Sequence, residues 1–457
     1  MNHIRIASQT QAEVNVLDQI DEFFSHFHVP TVLHRCGVRK RHGYTVRSLI
    51  KPIFPLPFLG KNFFRGIVIN GDLPFGKDAA YDVLKGPRSN WRRFLLTLSV
   101  RLYRFFDQLT DDERESVLII DDSTYDRSRS KMVELLSRVK DHTTGRFIRG
   151  FRMLTLCWSD GVSCLPLDFA LLSSTDAAKR FCEATKIVDK RCCAYERRKE
   201  ATIKSTEHLA NMVKRALAAG IDARYILMDS WFAMPKTIVT VSQYRPVICM
   251  VKKTPKVLYG YGNRRCDLMS LYRCLKKRRG RARILTSVIV TLTDESRAKV
   301  VFVRDRRKKD WLALLSTDIH LPDEDVVRIY GKRWDIEVFF KMAKQHLKLA
   351  KEIQCRDYDA LIAHTTIVFM RYMFLAYRCR LETDDRTFGD LFYACCDELE
   401  DISFIEALYR ILALALKSIR EIGSFCEKTA QSFFDTIMQA ALTYVNLSKN
   451  KITVNEI

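Results

Sequence analysis

The stretch VLIIDDST, at residues 117–124, is a short apolar run that ends in two adjacent acids. A second run of the same kind, YILMDSWF at residues 225–232, also ends in an acid, Asp229. Four consecutive apolar residues bounded by polar ones are typical of a buried β-strand. Both stretches therefore predict a buried strand with a carboxylate at its carboxyl end.

The residues between these two runs predict two more strands and a helix. Residues 151–172 contain two apolar runs joined by Asp160-Gly161, a step that is typical of a hairpin turn. Residues 200–219 have a helical pattern and are followed by Gly220, a favoured C-terminal cap. The order strand, hairpin, helix, strand is that of a ribonuclease H-like fold, in which the first and fourth strands are neighbours. We therefore expect the acids that end these two strands to meet at one edge of a sheet.

The composition indicates a basic, globular protein. The chain has 457 residues, of which 47% are apolar, and a formal net charge of +22. A positive excess this large repels itself unless a polyanion neutralises it, so nucleic acid is the expected partner. The apolar content and the scattered glycines and prolines exclude a disordered chain.

Nothing in the sequence indicates a membrane or a secretory route. The most apolar late stretch, Ile362–Tyr377, is interrupted by His364 and Arg371 and is too short to cross a bilayer. Residues 1–5 contain no apolar signal-peptide core. The 14 cysteines form no Cys-x-x-Cys pair, so we interpret them as reduced, mostly buried thiols. These features predict a cytoplasmic protein without a membrane partner.

A third acid lies on a predicted helix that begins at Pro322 and runs to Leu349. A helix advances about 100° per residue, so Asp335 points about 160° away from Glu337 and is the poorer candidate. In isolation, the pattern also fits an ordinary surface helix with an ion pair between Glu337 and Lys341. Five residues share one arc of about 80° on this helix: Tyr330, Arg333, Glu337, Lys341 and Lys344.

The spacing Tyr330-x2-Arg333-x3-Glu337-x6-Lys344 resembles, position for position, the Tyr-Arg-Glu-Lys signature of the insertion-sequence-4 family of DDE transposases. The runs that end in Asp-Ser-Thr and Asp-Ser-Trp-Phe stand where that family has its first two catalytic acids. The resemblance covers residues 116–349. The four-residue signature is specific, whereas each aspartate alone is only weakly so.

The resemblance implies three catalytic carboxylates that also bind metal: Asp122, Asp229 and Glu337. It implies two Mg²⁺ ions, for which Mn²⁺ can substitute, because phosphodiester chemistry needs an activated oxygen and neutralised phosphate charge. Mg²⁺ prefers hard oxygen ligands, so carboxylates suit it and the scattered thiols do not.

The resemblance also implies how the chain would bind DNA. The substrate would be double-stranded DNA, both the terminal inverted repeats and the target, with a homodimer in the active complex. Such a protein would be prokaryotic and associated with the nucleoid. The residues expected to contact phosphates on the signature helix are Tyr330, Arg333, Lys341 and Lys344.

Two correspondences with the family stay open. Either Asp121 or Asp122 can be the first acid, and the family's Ser or Thr directly after the acid favours Asp122. Some family members stack a flipped base on a Trp of the insertion domain, and here no Trp lies between Trp231 and Trp311. That role is therefore missing or falls to another aromatic residue. The candidates are Tyr259, Tyr261 and Tyr272.

These features together predict an α/β protein in five parts. Residues 1–110 are expected to form a helical N-terminal DNA-binding domain. Residues 111–245 and 321–354 would form the two parts of a ribonuclease H-like catalytic core. Between them, residues 246–320 would form a β-rich insertion, and residues 355–457 a helical C-terminal region.

Two basic clusters outside the signature helix could contact DNA. We interpret the run at residues 276–283 as a phosphate-contacting hairpin, and a solvated loop is the alternative. Its first members are Lys276, Lys277, Arg278 and Arg279. The second cluster fits a DNA-binding face and an ordinary solvated surface equally well, and its members are Arg35, Arg39, Lys40, Arg41 and Arg47.

The expected function is cut-and-paste DNA transposition at the ends of an insertion sequence. Nicking of one strand would free a 3′-hydroxyl, which attacks the opposite strand and finally the target DNA; the attack on the opposite strand is implied by the resemblance alone. One alternative is a catalytically inactive DNA-binding inhibitor of transposition, which would need no acids. Another is a ribonuclease H-like nuclease that cuts but does not join.

Overall fold

The structure is a computed structural model that describes residues 16–40, 42–69, 73–109, 114–142, 144–184, 188–305, 310–381 and 427–454, with isolated residues between 393 and 415. The helices are α1 (Val16–His26), α2 (Val29–Arg35), α3 (Val46–Ile50), α4 (Lys77–Leu84), α5 (Trp91–Asp107), α6 (Cys193–Ala201), α7 (Ser205–Ala218), α8 (Pro235–Ser242), α9 (Leu268–Cys274), α10 (Asp323–Gly331), α11 (Trp334–Gln345), α12 (Tyr358–Leu381) and α13 (Glu427–Val454). A π-helical turn lies at Phe64–Val68 and a 3-10 turn at Ala177–Lys179.

A mixed β-sheet runs through the described residues. Its strands are β1 (Val117–Asp126), β2 (Ser137–Lys140), β3 (Phe147–Ser159), β4 (Cys164–Leu172), β5 (Tyr225–Met228), β6 (Val247–Val251), β7 (Tyr259–Tyr261), β8 (Arg264–Cys266), β9 (Ile284–Thr291), β10 (Arg297–Asp305) and β11 (Asp310–Ser316). The spatial order is β2-β3-β1-β5-β6-β11-β10-β9-β7-β8, and β4 pairs with β3. The chain is therefore an α/β protein with a mixed sheet, consistent with a ribonuclease H-like fold.

The structure contains the predicted neighbouring pair of strands. β1 and β5 are parallel and in register, from Val117 opposite Tyr225 to Ile120 opposite Met228. β3 and β4 form the predicted hairpin, and Gly161 in its turn has a φ of 88°, which favours glycine. This pairing thus places Asp121, in the middle of β1, next to Asp229, the residue after β5.

Helices surround this part of the sheet. α5, α6, α7 and α12 all pack against β4, and α11 packs against β1, β4 and α12. The predicted helix at residues 200–219 is mostly α7, and Gly220 after it has a φ of 90°, as expected for a C-terminal cap. The apolar face of α11 is buried, including Ile336 and Phe339. This packing fixes the position of α11 against the end of β1.

The single helix predicted from Pro322 to Leu349 is two helices in the structure. α10 ends at Gly331, and α11 begins at Trp334 after a short turn. Glycine is a poor helix former, so a break directly after Gly331 has a local cause. The turn contains Arg333, one of the signature residues, and leaves Glu337 in the first turn of α11.

The β-rich segment at residues 246–320 is continuous with the rest of the sheet. β6 is parallel to β5, pairing Ile226 with Val247, and β11 is antiparallel to β6. β6 therefore belongs to the same sheet layer as β1 and β5. The boundary expected at residue 246 runs between two paired strands, so the segment is joined to the core by backbone hydrogen bonds.

α12 is long and apolar enough to span a membrane by length and composition, but its apolar window is entirely buried inside the protein. The polar residues that interrupt it are paired there. Arg371 contacts both carboxylate oxygens of Glu352, and His364 lies 2.8 Å from the same carboxylate. Arg371 also donates to the carbonyl oxygens of Ile53 and Phe54. The helix is thus the central core helix that ties the N-terminal helices to the rest of the protein.

Other expectations fall outside the described residues. Residues 1–15 of the expected N-terminal domain and residues 382–392 and 416–426 of the expected C-terminal region are among them. Of the 14 cysteines, the 13 that lie within the described part of the chain are free thiols, and most of those are buried.

Candidate active site

Asp121 and Asp229 lie side by side where the parallel pairing of β1 with β5 ends. Each directly follows the last residue of that pairing, Ile120 in β1 and Met228 in β5. In-register neighbours on parallel strands point to the same face of the sheet. Asp121 and Asp229 therefore share a face, and the negative charge of Asp229 helps to raise the pKa of Asp121.

Glu337 reaches this pair of strands through an arginine. The Nη1 of Arg333 lies 2.9 Å from Oδ2 of Asp121, and its Nη2 lies 2.5 Å from Oε1 of Glu337. Arg333 is the i,i+4 partner of Glu337 on its N-terminal side, whereas the surface-helix interpretation pairs Glu337 with Lys341. One guanidinium therefore connects an acid of β1 with an acid of α11.

The carboxyl group of Asp121 is in an unusual environment. Burial is the largest influence and raises its pKa to about 7; Arg333 and the backbone N–H of Asp122 act in the opposite direction, and the charges of Asp122 and Asp229 add to the rise. A carboxylate buried among like charges is costly, and Arg333 offsets only part of that cost here. Strongly shifted acids of this kind are common at functional sites.

Asp122 points to the other face of β1 and has a different partner. The Nη1 of Arg152 lies 2.9 Å from each of its two carboxylate oxygens. Arg152 is on β3, the neighbour of β1, and its Nη2 also lies 3.1 Å from Nε2 of His142. Asp122 is therefore held in an ion pair with Arg152, on the face opposite Asp121.

Lys344 lies on the side of Asp122. Burial lowers its pKa, and the charges of Asp141, Asp126 and Asp122 act in the opposite direction. Its ammonium group thus faces carboxylates of the protein. Lys341, three residues earlier, is exposed to solvent. Of these two lysines, Lys341 is the one whose surroundings leave it accessible to a DNA phosphate.

The hydroxyl of Tyr330 faces the acids. It is buried and has no hydrogen-bond partner among the described residues. Burial raises its pKa, Arg333 opposes the rise, and the charges of Asp229 and Asp121 add to it. The guanidinium of Arg333 lies 5.9 Å from the ring centroid. A buried, unpaired hydroxyl beside carboxylates is a donor that a bound ligand could satisfy.

The oxygen donors at this site fit a divalent cation in kind. Carboxylates of Asp121, Asp229 and Glu337 are the hard ligands that Mg²⁺ prefers. Within the described ranges, no three His, Cys, Asp or Glu side chains are grouped closely enough to hold a metal ion. Arg333 contacts Asp121 and Glu337 directly, so a guanidinium neutralises two carboxylates that would otherwise face a cation.

The remaining residues expected to bind DNA lie elsewhere on the molecule. Lys276, Arg278 and Arg279 are exposed on the loop before β9. Arg278 lies 3.7 Å from Glu324, and the Nζ of Lys277 donates to the carbonyl oxygen of Arg273. The loop is therefore an accessible cationic surface near the start of α10.

The N-terminal basic residues are partly engaged in surface ion pairs. Arg47 lies 3.7 Å from Asp21, and Lys40 lies 3.6 Å from Asp82. Arg41 is outside the described residues. Ion pairs of this kind are typical of a solvated face and add little stability.

The three aromatic candidates for base stacking differ in accessibility. Tyr259 is buried, and Tyr272 stacks on Trp311 with ring centroids 4.7 Å apart. Tyr261 is 41% exposed, so it is the accessible member of the three.

Two residues near the acids have no counterpart in the sequence interpretation. Trp231, two residues after Asp229, is 48% exposed. The Nζ of Lys252 lies 4.4 Å from its ring centroid, and the guanidinium of Arg152 lies 5.7 Å from it. Only the position of Trp231 two residues after Asp229 pointed to it. The ion pair of Arg152 with Asp122 depends on the pairing of β3 with β1, and no local sequence pattern indicates it.

A prediction follows from the raised pKa of Asp121. The folded chain holds a proton on Asp121 between pH 4 and about 7, where the unfolded chain has lost it, so the metal-free protein loses stability as pH rises through that range. Asp121→Asn removes the buried charge. Its melting temperature, measured with a chelator present, is therefore expected to exceed that of the wild type at pH 8 by more than at pH 5. A melting-temperature difference between the variant and the wild type that shrinks as pH rises would contradict this prediction.

Comparison with models of known protein families gives two matches. Residues 66–268 match a DDE superfamily endonuclease, and residues 187–374 match a transposase DDE domain. The first match contains Asp121, Asp122 and Asp229, and the second contains Asp229 and Glu337. A search of curated proteins found no match.

Proposed function

Because this chain belongs to the DDE transposases, we propose that it cuts DNA at the ends of an insertion sequence and joins those ends to a target by cut-and-paste transposition. The carrying observation is that Asp121 lies beside Asp229 where the parallel pairing of β1 with β5 ends, and that Arg333 contacts both Asp121 and Glu337. A shared ligand at this place would account for acids from distant parts of the chain that meet one buried arginine. The Tyr-Arg-Glu-Lys spacing supports membership of the insertion-sequence-4 family.

Asp121, rather than Asp122, is the first acid of this proposal. Asp121 shares a face of the sheet with Asp229 and contacts the arginine that holds Glu337. Asp122 already has a cationic partner, Arg152, with both of its oxygens engaged. The negative charge of Asp122 still helps to raise the pKa of Asp121, so Asp122 contributes to the negative potential of the site.

Asp121, Asp229 and Glu337 would hold two Mg²⁺ ions. When bound, such ions supply an activated oxygen nucleophile and neutralise the charge that develops on the phosphate. The chain's own residues orient the acids. β1 and β5 fix the two aspartates through their backbone pairing, and the packed face of α11 fixes Glu337.

The charge of the chain supports a DNA substrate. A net charge of +22 favours binding of double-stranded DNA, both terminal inverted repeats and target. Lys341 and the exposed basic loop at residues 276–279 are the accessible cations that we assign to phosphate contacts. We assign to Lys344 the balancing of Asp122, Asp126 and Asp141, because it faces those acids. A homodimer in the active complex and a cytoplasmic, nucleoid-associated location are part of the same proposal.

The test is a strand-cleavage and strand-transfer assay on DNA that carries the sequences flanking the coding region. We expect Mg²⁺-dependent nicks at both ends and joining of the 3′ ends to a target plasmid. Binding without any Mg²⁺-dependent break would support the inactive inhibitor instead. Cleavage without joining would support a nuclease that performs no strand transfer. Short inverted repeats at both edges of the coding region would identify the substrate.

A further inference from the structure

The guanidinium of Arg333 is bonded to the oxygens that the proposed cations need. Its two Nη atoms contact Oδ2 of Asp121 and Oε1 of Glu337, at 2.9 and 2.5 Å. The side chain of Arg333 is only 14% exposed and that of Asp121 15%, so solvent screens this contact weakly. Charge-assisted hydrogen bonds from a planar arginine fork are among the strongest polar contacts in proteins.

The same carboxylates cannot serve the guanidinium and a divalent cation equally well. Oxygen lone pairs that accept N–H bonds from Arg333 are less available as ligands, and two cations at one place repel each other. While Arg333 holds Asp121 and Glu337, the DNA-free chain therefore has a reduced affinity for divalent cations at this site.

A phosphate is the ligand that could draw Arg333 away. Arginine binds phosphate through the same fork of donors that it uses for carboxylates. Glu337, at the outer end of the contact, is 37% exposed, so the outer half of the contact is open to solvent. The ring centroid of Tyr330 lies 5.9 Å from the guanidinium, and the buried hydroxyl of Tyr330 has no hydrogen-bond partner among the described residues.

We propose that Arg333 is a positioning residue that couples DNA binding to metal loading. In the DNA-free chain it neutralises Asp121 and Glu337; when a DNA phosphate accepts its guanidinium, both carboxylates become available to divalent cations. Coupling between two ligands is reciprocal, so divalent cations strengthen DNA binding by the same factor. Cations are then held mainly when DNA is in place. This inference rests on the proposed function.

The test measures Mn²⁺ binding to the full-length chain by titration calorimetry, with and without a short DNA duplex that carries the flanking sequence. For the wild type, we expect the duplex to tighten Mn²⁺ binding by about tenfold, within the usual range of coupling between two sites. For Arg333→Gln without DNA, we expect Mn²⁺ to bind more tightly than it does to the wild type. Addition of the duplex should change the Mn²⁺ affinity of this variant little.

Two further variants distinguish the contact of Arg333 with both Asp121 and Glu337 from the effect of a positive charge alone. Arg328→Gln, the matched control on α10, removes an arginine that pairs with Glu115 and Asp325, outside the site, and should behave as the wild type. Arg333→Lys keeps the charge but lacks the fork, so it should also bind Mn²⁺ more tightly than the wild type in the absence of DNA.

The outcomes distinguish this inference from the proposed function. If Arg333→Gln binds Mn²⁺ no more tightly than the wild type without DNA, or if the duplex tightens binding equally in both, the coupling role is overturned. The proposed function would still stand in that case, provided that Asp121→Asn and Glu337→Gln abolish Mn²⁺ binding. If those two acid variants bind Mn²⁺ as the wild type does, with and without DNA, the proposed metal site itself is lost.

Discussion

Asp121→Asn is expected to lower the rate of DNA cleavage by about a thousandfold, because removal of one metal-binding carboxylate costs several kcal/mol of transition-state stabilisation. Asparagine has the same size and stays neutral, so β1 and its pairing with β5 are retained. The measurement is single-turnover cleavage of DNA with the flanking ends, in Mg²⁺.

The matched control is Asp122→Asn, one residue further along the same strand. This change breaks the ion pair with Arg152 but does not alter the face of the sheet that carries Asp121 and Asp229. We expect its cleavage rate to fall by less than about tenfold, because the change leaves the three carboxylates of the proposed metal site in place. The reverse result, with Asp122→Asn inactive and Asp121→Asn active, would assign the first acid to Asp122. Melting temperatures of both variants would show that each is folded.

Arg371→Met is expected to destabilise the protein by about 3–5 kcal/mol, because it leaves the carboxylate of Glu352 buried without its main partner. Arg371 and Glu352 are both fully buried, and the burial of Glu352 is offset chiefly by Arg371, which together with His364 holds the pKa of Glu352 at about 2. The loss also frees the carbonyl oxygens of Ile53 and Phe54. The measurement is urea unfolding at pH 7.

The control for this prediction is Arg191→Met, which breaks an ion pair with Asp189 on the surface. The side chain of Arg191 is 89% exposed, and pairs of this kind add little stability. We therefore expect no resolvable change. If Arg371→Met unfolds at the same urea concentration as Arg191→Met, the buried cluster on α12 does not hold the N-terminal helices to the core.

The sequence predicted the elements that depend on local patterns. Four-residue apolar runs identified β1 and β5, the Asp160-Gly161 step identified the β3–β4 hairpin, and Gly220 identified the end of α7. The adjacency of β1 and β5 was also predicted, because a crossover through a helix places parallel strands side by side. Asp229 and Glu337 stay predicted site residues, on the basis of these elements and of the signature spacing.

The choice between Asp121 and Asp122 could not be made in the same way. Adjacent residues of a strand point to opposite faces of the sheet. The choice therefore depends on which face also carries Asp229, after β5, and Glu337, on α11. That is set by the register of β1 against β5 and by the reach of Arg333. The surroundings of Lys344 likewise depend on Asp126 and Asp141, which come close to it only in the folded chain.

The boundary of the β-rich segment could not be predicted for a similar reason. An apolar run such as Val247–Val251 predicts a strand but not its partner, and the pairing of β6 with β5 makes it part of the core sheet. The break between α10 and α11 is a smaller effect. Gly331 weakens a helix there, but whether the helix bends or breaks depends on the packing of both parts.

The central claim is that Asp121, Asp229 and Glu337 surround one site for divalent cations, and metal-directed cleavage of the protein tests it most directly. Fe²⁺ is loaded in place of Mg²⁺ onto the full-length chain with DNA, and ascorbate with peroxide then cuts the backbone near the bound iron. We expect cuts near residues 121, 229 and 337 together, all suppressed by excess Mg²⁺. Cuts near one of these residues alone, or cuts that Mg²⁺ does not suppress, would contradict the claim.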